Sequence, residues 1–447
     1  MSRRCRYTIY GILACLGICV IGVLVKILFF SGLFVPLLKV DGDKEMKVQV
    51  HESFRDPGVI ASYRFHDYSD EVKRTSNLNT DKLGTYTIVY HLDSYDKKVS
   101  RTVHVVDTKA PTITLKQGKM IRVFENGTYQ EPGFHAQDNY DGDLTKKVTV
   151  KHHVNMKKTG TYDIVYQVKD ASNNIASVTR KVQVCKDPTT TKLYYNHDDY
   201  DNTAEEWWFN KSKEHKRTTG AKPQSLLDKY DAYYQGKDEK VIYLTFDEGG
   251  NDITYIKQIA DVLNKNDVKA TFFLTRNYIK NEADFMRDLV KHGHVIGNHT
   301  WHHYDMTTLA NAKDVDAFVK EITETEKTYM EVCGVPMKKV FRFPKGGGSE
   351  RAMKMVKDLG YRTYFWSHAY YDYASDVSGE EALKTMMDHY HNGAIYLLHP
   401  SNKGNYEAMD TFIKNMKKEG YRFATVDEIK YYIIFFLIKL VINSFDS

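Results

Sequence analysis

The chain has 447 residues, of which 42% are hydrophobic and 27% are charged, and its formal net charge is +5. This length is enough for about two to four domains, and the composition is that of a globular chain able to bury cores. Five cysteines without a CxxC pattern exclude a disulfide framework and zinc held by paired thiolates. Ordinary solvated lysines explain the mild positive charge, and we expect no nucleic-acid partner.

The N-terminal segment, residues 1–40, is predicted to be a basic cytoplasmic tip followed by a membrane anchor. After SRRCR, residues 7–25 carry no formal charge, and the apolar run resumes at 27–38. Such a run can span a bilayer of about 30 Å, whereas a cleaved signal peptide would need a shorter apolar core and a better cleavage site. Arginines before the span and DGDKE after it predict a single-pass protein of the cell membrane with the remainder extracellular, on the wall side.

Two similar segments follow the anchor. VHESFRDPGVIAS begins at Val50 and VFENGTYQEPGFHAQ begins at Val123, and each contains an acid–Pro–Gly turn. GTYTIVYH at Gly84 and GTYDIVYQ at Gly160 then repeat with nearly the same separation. Polar and apolar residues alternate with period two in these stretches, which predicts many short strands separated by turns.

The repeats predict two small β-sandwich modules, at 41–107 and 108–186. They resemble the bacterial immunoglobulin-like modules of surface proteins, of which DTKAPTITL and DNYDGDLT are typical. The carboxylates of DNYDGD (138–143) could hold calcium, but their spacing does not match a loop of about six or more oxygen ligands, which favours an Asx-rich turn. The polar residues 187–204 are predicted to be a linker.

From Val241 onward, short apolar runs alternate with helical patterns in seven strand–helix units. This alternation predicts a parallel sheet with outer helices, closed into a (β/α) barrel, over residues 205–430. The adjacent tryptophans of EEWW are interpreted as packing at the domain edge rather than as a stacking surface. The apolar tail at 431–447 is either an extension of the last helix or an interfacial helix on the membrane.

Five of the seven predicted strands end in residues suited to catalysis, and in barrels the chemistry lies where strands end. These residues are Asp247, Glu248, His299, His302, His303, Arg342, His368, Asp372 and His399. Two histidines and one carboxylate can hold a catalytic divalent metal, a further carboxylate can deprotonate water, and a further histidine can protonate a leaving amine. Within HTWHH, His299 and His303 are four residues apart and would share a helical face, with His302 as a substitute.

The motifs LTFDEG, HTWHH, RFPKG, WSHAYYDY and LLH resemble, in this order, the five motifs of the NodB-homology polysaccharide deacetylases, carbohydrate esterase family 4. Within the family, SLLDKYDAYYQG and EEWWFNKSKEHK resemble the muramic δ-lactam-forming peptidoglycan deacetylases. The resemblance implies a distorted NodB-type barrel of seven or eight strands and removal of N-acetyl groups from peptidoglycan, from N-acetylmuramic acid more than N-acetylglucosamine. It further implies a divalent metal, zinc before manganese or cobalt, and action after a cell-wall amidase.

The resemblance also assigns roles to residues. Asp247 matches the catalytic base and His399 the general acid. Arg342 matches the arginine that holds the base, and Asp372 the aspartate that orients this arginine. The substrate-binding positions are Leu397, which matches the residue lining the acetyl-methyl pocket, with Tyr373, Trp366 and Pro344.

The metal-binding positions implied by the resemblance are His299, His303 and Glu248. Most family members have aspartate where Glu248 stands, so direct ligation, ligation through water and no ligation all remain open. Tyr373 stands where the groove wall usually has tryptophan. Two alternative functions remain: a deacetylase of N-acetylglucosamine or another polysaccharide, and a wall-binding scaffold with an inactive barrel.

Overall fold

A computed structural model describes the protein over residues 18–24, 35–194, 199–248, 255–311, 313–373 and 377–429. Most of the predicted anchor and the whole apolar tail lie outside these ranges. Within the described ranges, no helix has the length and apolar character that crossing a bilayer requires. The chain divides into two compact units, and the boundary between them passes through the second sandwich module. Unit 1 is Met1–Lys119, Glu131–His153 and Asp163–Arg180, and unit 2 is Met120–Gln130, Val154–Tyr162 and Lys181–Ser447.

The first module is a β-sandwich. Its strands are β1 (Leu37–Val40), β2 (Glu45–Gln49), β3 (Val59–Tyr63), β4 (His66–Asp67), β5 (Lys73–Ser76), β6 (Gly84–Leu92) and β7 (Lys97–Val106). One sheet has the order β1-β3-β4 and the other has the order β2-β7-β6-β5. Alternate residues of β6 face inward, so Ile88 and Tyr90 are buried with Val103 and Val105 of β7. Because β1 pairs with β3, the last residues that we assigned to the anchor belong to the sandwich.

The second module repeats this pairing. Its strands are β8 (Thr112–Leu115), β9 (Met120–Phe124), β10 (Phe134–Asp138), β11 (Gly142–Asp143), β12 (Thr149–His152), β13 (Gly160–Lys169) and β14 (Ile175–Cys185). Strand β10 pairs antiparallel with β8 and β11, as β3 does with β1 and β4. The parallel pair β9–β14 likewise repeats the parallel pair β2–β7. The sequence repeat is therefore a repeat of structure.

The acid–Pro–Gly turn of each module holds a buried arginine. Arg101 Nη1 lies 2.8 Å from Asp56 Oδ1, and Arg180 Nη1 lies 3.2 Å from Glu131 Oε1. Both arginine side chains are fully buried, and a tyrosine hydroxyl donates to the same carboxylate in each module. Removing one partner of a buried ion pair leaves an uncompensated charge, at a cost of about 3–5 kcal/mol. The repeated turn is thus a structural feature of the sandwich.

The seven predicted strands of the C-terminal domain are all present, with additional short strands. The strands are β15 (Glu205–Glu206), β16 (Ala232–Tyr233), β17 (Val241–Glu248), β18 (Thr271–Leu274), β19 (Val295–Asn298), β20 (Val340–Phe341), β21 (Gly347–Gly348), β22 (Arg362–Tyr364), β23 (Ala394–Leu398) and β24 (Arg422–Phe423). The main sheet has the order β16-β22-β20-β19-β18-β17-β23, and β24 pairs with the start of β17. Isolated bridges such as His368–Tyr396 connect the chain after β22 to β23 without a regular ladder. The domain is therefore an incompletely closed half-barrel, in keeping with the distorted barrel that the resemblance implied.

Amphipathic helices cover the outer side of this sheet. They are α1 (Gln224–Leu227), α2 (Ile256–Lys265), α3 (Arg276–Asn281), α4 (Ala283–Lys291), α5 (Met306–Leu309), α6 (Val315–Cys333), α7 (Glu350–Asp358), α8 (Gly379–Asp388) and α9 (Lys403–Lys418). In α2, Ile256, Ile259 and Leu263 are buried at helical spacing, which is the apolar stripe that predicted the helix. Strand β17 is buried on both sides: Leu244 and Phe246 pack under the helices, and Tyr243 packs in a separate cluster on the inner side.

The predicted linker is packed against the C-terminal domain where the structure describes it. Asp187 Oδ2 lies 2.6 Å from Lys327 Nζ on α6, and Arg351 donates two hydrogen bonds to the carbonyl of Tyr200. The segment is polar because its backbone carbonyls and carboxylates accept bonds from the domain, and not because it is free in solvent. Trp207 also packs, stacked on Phe365 with ring centroids 4.4 Å apart.

Candidate active site

The carboxyl ends of the parallel strands carry the candidate catalytic residues to one edge of the half-barrel. Strand β17 ends with Asp247 and Glu248, β19 is followed by His299, and β23 is followed by His399. Neighbouring parallel strands end at the same edge, so residues that are far apart in the sequence become neighbours.

Asp247 is held by a buried arginine. Arg342 Nη1 donates to Asp247 Oδ1 at 2.6 Å and to Thr245 Oγ1 at 2.7 Å, and its Nε donates to the carbonyl of Tyr364 at 2.8 Å. The guanidinium also lies over the ring of Phe273, 4.2 Å from its centroid. Burial lowers the pKa of Arg342, and the charge of Asp247 opposes that shift. The contact between Arg342 and Asp247 is the one that the resemblance implied.

His299 is oriented by the backbone. Its Nδ1 lies 2.9 Å from the carbonyl of Arg342, which can only accept, so Nδ1 carries the proton and Nε2 is left with a lone pair. This Nε2 lies 3.9 Å from Asp247 Oδ2, and the ring of His303 lies 4.9 Å from that of His299. Burial lowers the pKa of His299 to about 4 and also lowers the pKa of His303. Both imidazoles are therefore neutral near neutral pH, the form that binds metal ions.

We predicted from their spacing that the two histidines share a helical face, and this prediction is wrong. They lie in the loop after β19, where Thr300 and His303 have φ angles of 71° and 61°. Side chains stabilise this left-handed backbone: Asn298 Oδ1 accepts from Thr300 N, and Thr300 Oγ1 accepts from His303 N. Non-glycine residues in this region cost about 1–3 kcal/mol each, and such strain is concentrated at functional sites.

The ring of His302 stacks on the rings of Trp301 and Tyr304, with centroids 4.3 Å and 5.1 Å away, and not against His299 or His303. Its Nδ1 lies 2.6 Å from Glu321 Oε1 on α6. The other oxygen of Glu321 accepts the backbone N–H groups of Trp301 and His302. Glu321 thus fixes this part of the loop, and the pair that faces Asp247 is His299 with His303.

The resemblance implied that Asp372 orients Arg342, but Asp372 contacts His399 instead. Asp372 Oδ1 lies 2.8 Å from His399 Nδ1, and Oδ2 accepts the backbone N–H of His399 at 2.7 Å. The bridge between His368 and Tyr396 brings the loop after β22 beside β23, whereas Arg342 directly follows β20. Burial alone would lower the pKa of His399, but the hydrogen bond and charge of Asp372 raise it above its usual value.

Two residues of the site were missed by the sequence analysis. Asn405, fully buried near the start of α9, donates to Asp372 Oδ2 at 2.7 Å and to the carbonyl of His399 at 2.9 Å. Thr245 accepts from Arg342. The asparagines in HPSNKGN are a local signal for the first of these, because Asn402 caps α9 and Asn405 follows one turn later.

Residues 234–364 match the polysaccharide deacetylase family, and residues 38–105 and 113–184 match the Ig-like domain of bacterial surface proteins. The peptidoglycan-N-acetylmuramic acid deacetylase PdaA of Bacillus subtilis is 37% identical over 231 residues, which are 50% of this chain and 85% of that protein. The chain belongs to the polysaccharide deacetylase family. A peptidoglycan-N-acetylglucosamine deacetylase of Bacillus cereus is 30% identical over 198 residues, 43% of this chain and 90% of that protein. The solved structure of Bacillus subtilis PdaA, a family 4 carbohydrate esterase, aligns with 36% identity and a TM-score of 0.48, covering 51% of this chain and 97% of that chain.

Membership of this family makes the chain an N-deacetylase, a hydrolase of the amide bond in an N-acetyl group. Members are in general metal-dependent. The donors of this deacetylase fit a metal in one respect: His299 has its Nδ1 bonded to a carbonyl and its Nε2 free, which is how metal-binding histidines are oriented.

The predicted ligand trio of Glu248, His299 and His303 is not assembled in this arrangement. In the part of the chain that the structure describes, these three do not bring their ligand atoms within 4.8 Å of one another. Asp247 Oδ2 lies 3.9 Å from His299 Nε2, whereas Glu248 is the next residue of the strand, and its charge, like that of Asp247, contributes to the raised pKa of His399. The carboxylate with a described contact to the histidine pair is therefore that of Asp247.

Two of the predicted substrate residues line the reactive edge of the deacetylase. Leu397 is paired with Thr245 across β17 and β23, which places it on the same side as Asp247. The side chain of Tyr373 is 64% exposed, and its ring lies edge-on to His399 at 5.3 Å. These positions suit a residue below the acetyl group and an aromatic wall for the sugar.

The other two predicted substrate residues lie near Arg342 rather than at the reactive edge. Trp366 lies beside its guanidinium, 5.5 Å from centroid to carbon. Pro344 is buried in the turn that follows Arg342, and a Cβ at Gly346 in the same turn would lie 2.5 Å from the Trp366 ring. The glycine is thus required by the close approach of the indole.

His368 does not lie at the reactive edge with the other strand-end residues. Its ring is fully buried and stacked on Tyr396, with centroids 4.1 Å apart. Burial lowers its pKa well below the usual value, so it is a neutral core residue. Of the predicted strand-end residues, those with contacts described at the reactive edge are Asp247, His299, His303, Arg342, Asp372 and His399.

Proposed function

We propose that this enzyme removes the N-acetyl group of N-acetylmuramic acid in peptidoglycan. The observation that carries the proposal is a pair of acid–base residues, each with its own fixed partner. Asp247 is held by Arg342, and His399 is held by Asp372. The relative with 37% identity, an N-acetylmuramic acid deacetylase, supports the choice of sugar.

In the proposed reaction, Asp247 Oδ2 takes a proton from the attacking water while the water oxygen bonds to the acetyl carbon. Arg342 binds Oδ1 and so leaves Oδ2 directed toward the histidines. The C–N bond then breaks, and His399 Nε2 gives its proton to the leaving nitrogen. The products are acetate and a free amine. Asp372 accepts from His399 Nδ1, which orients Nε2 for this transfer.

A divalent metal would be held by His299 and His303, zinc before manganese or cobalt. When bound, such an ion polarises the acetamide carbonyl and lowers the pKa of the attacking water. The fixed Nδ1 of His299 and the neutral state of both imidazoles support this assignment.

We further propose that the enzyme is anchored in the cell membrane by its N-terminal apolar segment and faces the wall. In this arrangement, the Ig-like modules act as a spacer, and the enzyme acts after an amidase has removed stem peptides. Cell fractionation with external protease tests the topology. Recovery of an intact soluble chain from the cytosol would contradict it.

The test uses the purified full chain, loaded with zinc, on peptidoglycan glycans with and without amidase treatment. We expect acetate release from the amidase-treated glycan, with mass spectrometry locating the loss on muramic acid. Asp247→Asn should abolish release, and Asp261→Asn, an exposed aspartate on α2, is the matched control.

A relative that acts on N-acetylglucosamine is 30% identical, so glucosamine is the alternative substrate. Deacetylation of glucosamine alone would establish that alternative. If the purified chain bound no metal and released no acetate from any glycan, the result would favour an inactive wall-binding scaffold.

A further inference from the structure

Three buried carboxylates meet in unit 1, remote in sequence from the deacetylase motifs. Asp107 follows β7 of the first module, whereas Asp138 ends β10 and Asp170 follows β13 in the second. One carboxylate oxygen from each lies within 4.8 Å of those from the other two. The three residues are only 6%, 4% and 5% exposed. We call them the junction triad.

The hydrogen bonds to the junction triad come from neutral groups. The donors are Gln49 Nε2 and Lys109 N to Asp107 Oδ1, Tyr140 N and Asp141 N to Asp138 Oδ1, and Asn174 N and Nδ2 to Asp170. These bonds orient the carboxylates but bring no positive charge. Among the residues that the structure describes, no lysine, arginine or histidine forms an ion pair with the triad.

Two oxygens of the triad have no hydrogen-bond partner within the described chain. They are Asp107 Oδ2 and Asp138 Oδ2, and both are buried. Burying carboxylates costs several kcal/mol per ion unless an opposite charge compensates them, and three carboxylates this close repel one another. A cation that binds the unpartnered oxygens resolves both problems.

We infer that the junction triad binds a calcium ion. Calcium takes oxygen ligands at about 2.3–2.6 Å, so two oxygens on one ion are at most about 4.6–5.2 Å apart. The three oxygens lie within 4.8 Å of one another, which is close enough for one such ion to reach all three. Magnesium, at about 2.0–2.1 Å, would need oxygens within about 4.2 Å and retains more of its water.

The junction triad also explains why the carboxylates of DNYDGD do not have the spacing of a calcium-binding loop. Only Asp138 of that hexapeptide belongs to the triad. Asp141 Oδ2 accepts the backbone N–H of Ala171 from a separate loop, and Asp143 Oδ1 accepts that of Thr145 in a local turn. The remaining ligands come from distant segments, so the site is visible only after the modules have folded.

The ion would connect the end of the first Ig-like module to two loops of the second. Asn174 Nδ2 already bridges them, donating to the carbonyls of Asp107 and Lys109 and to Asp170. Calcium would therefore stiffen the segment that leaves β7.

The first test is calcium titration of the metal-stripped full chain by calorimetry. We expect one oxygen-ligand site with a Kd of about 1 mM or tighter, and weaker binding of magnesium. Asp138→Asn and Asp170→Asn should each weaken calcium binding at least about tenfold, since each removes one of three charged ligands. Asp143→Asn, an exposed aspartate of the same hexapeptide, is the matched control, and His299→Ala shows that the site is separate from the active site.

The second test measures trypsin cleavage after Lys109, which is exposed two residues beyond Asp107. At calcium ten times the Kd, the open population should fall about 11-fold in the wild type. With chelator present, Asp138→Asn should be cleaved no faster than wild type, because the substitution removes a repelling charge, and calcium should not protect it.

The inference is overturned if the wild type binds no calcium at about 10 mM, or if Asp138→Asn and Asp170→Asn bind it as the wild type does. Preference for magnesium would also overturn it. Rapid trypsin cleavage in chelator identifies a variant that fails to fold. In that case, calcium titration of the wild type and of the other aspartate variant decides whether the triad binds calcium.

Discussion

Asp372 accepts hydrogen bonds from His399 with both carboxylate oxygens: Oδ1 lies 2.8 Å from the imidazole Nδ1, and Oδ2 lies 2.7 Å from the backbone nitrogen. Asn405 secures the same Oδ2 and also the carbonyl of His399. The ring is therefore fixed in position and kept more basic than an ordinary histidine. This relationship separates the acid side of the site from the base side, where Arg342 holds Asp247.

The pH dependence of the deacetylase should report His399. Its raised pKa keeps the imidazole protonated, so activity should fall as pH rises through that pKa. Asp372→Asn removes the charge that raises the pKa, and we expect the alkaline limb of kcat to move to lower pH. His399→Ala should lower kcat by about 10²–10⁴-fold and abolish that limb. An unshifted limb in Asp372→Asn, measured by acetate release, would contradict the assignment.

The ion pair between Arg342 and Asp247 should be essential for stability as well as activity. Arg342→Met leaves the buried carboxylate unpaired, and we expect about 3–5 kcal/mol loss in the free energy of unfolding. Adding Asp247→Asn to Arg342→Met should recover part of this loss because no charge is then stranded. Denaturant unfolding of the single and double variants measures the coupling. Strict additivity would show that the contact carries little energy.

The histidines of HTWHH should differ in their effect on metal binding. His299→Ala removes an oriented donor and should lower zinc affinity by at least about 10–100-fold. His302→Ala, the matched control in the same motif, breaks only the contact with Glu321 and should retain zinc while losing some stability. Metal content after dialysis distinguishes them. Equal loss of zinc in both variants would mean that the loop, and not the ligand, controls binding.

Glu248 should contribute little to metal affinity. Among the described residues, Glu248, His299 and His303 do not bring their ligand atoms within 4.8 Å of one another, so Glu248→Gln should leave zinc affinity within about threefold of the wild type. Competition with a zinc-sensitive dye provides the measurement, with Asp261→Asn on α2 as the control. A fall of about 10–100-fold would show that the end of β17 rearranges on metal binding and that Glu248 is a ligand after all.

The sequence by itself determined the element types of both parts of the chain. Period-two alternation predicted the strands of the repeated sandwich, and apolar runs alternating with helical patterns predicted the seven strands of the half-barrel. These signals are local, because burial on one face imposes a period of 2 or 3.6 on neighbouring residues. Recognisable motifs at the strand ends were enough to select Asp247, His299, His303, Arg342 and His399.

Only the tertiary structure decided which of these residues meet. Asp372 contacts His399 because the loop after β22 bridges to β23, and Glu321, on a helix further along the chain, holds His302 and the loop around it. The half-barrel stays open because no ladder closes it among the described strands, and the junction triad joins aspartates from three separate segments. Side-chain partners of this kind are residues that are far apart in the sequence, and sequence separation does not give the distance between two residues in the folded chain.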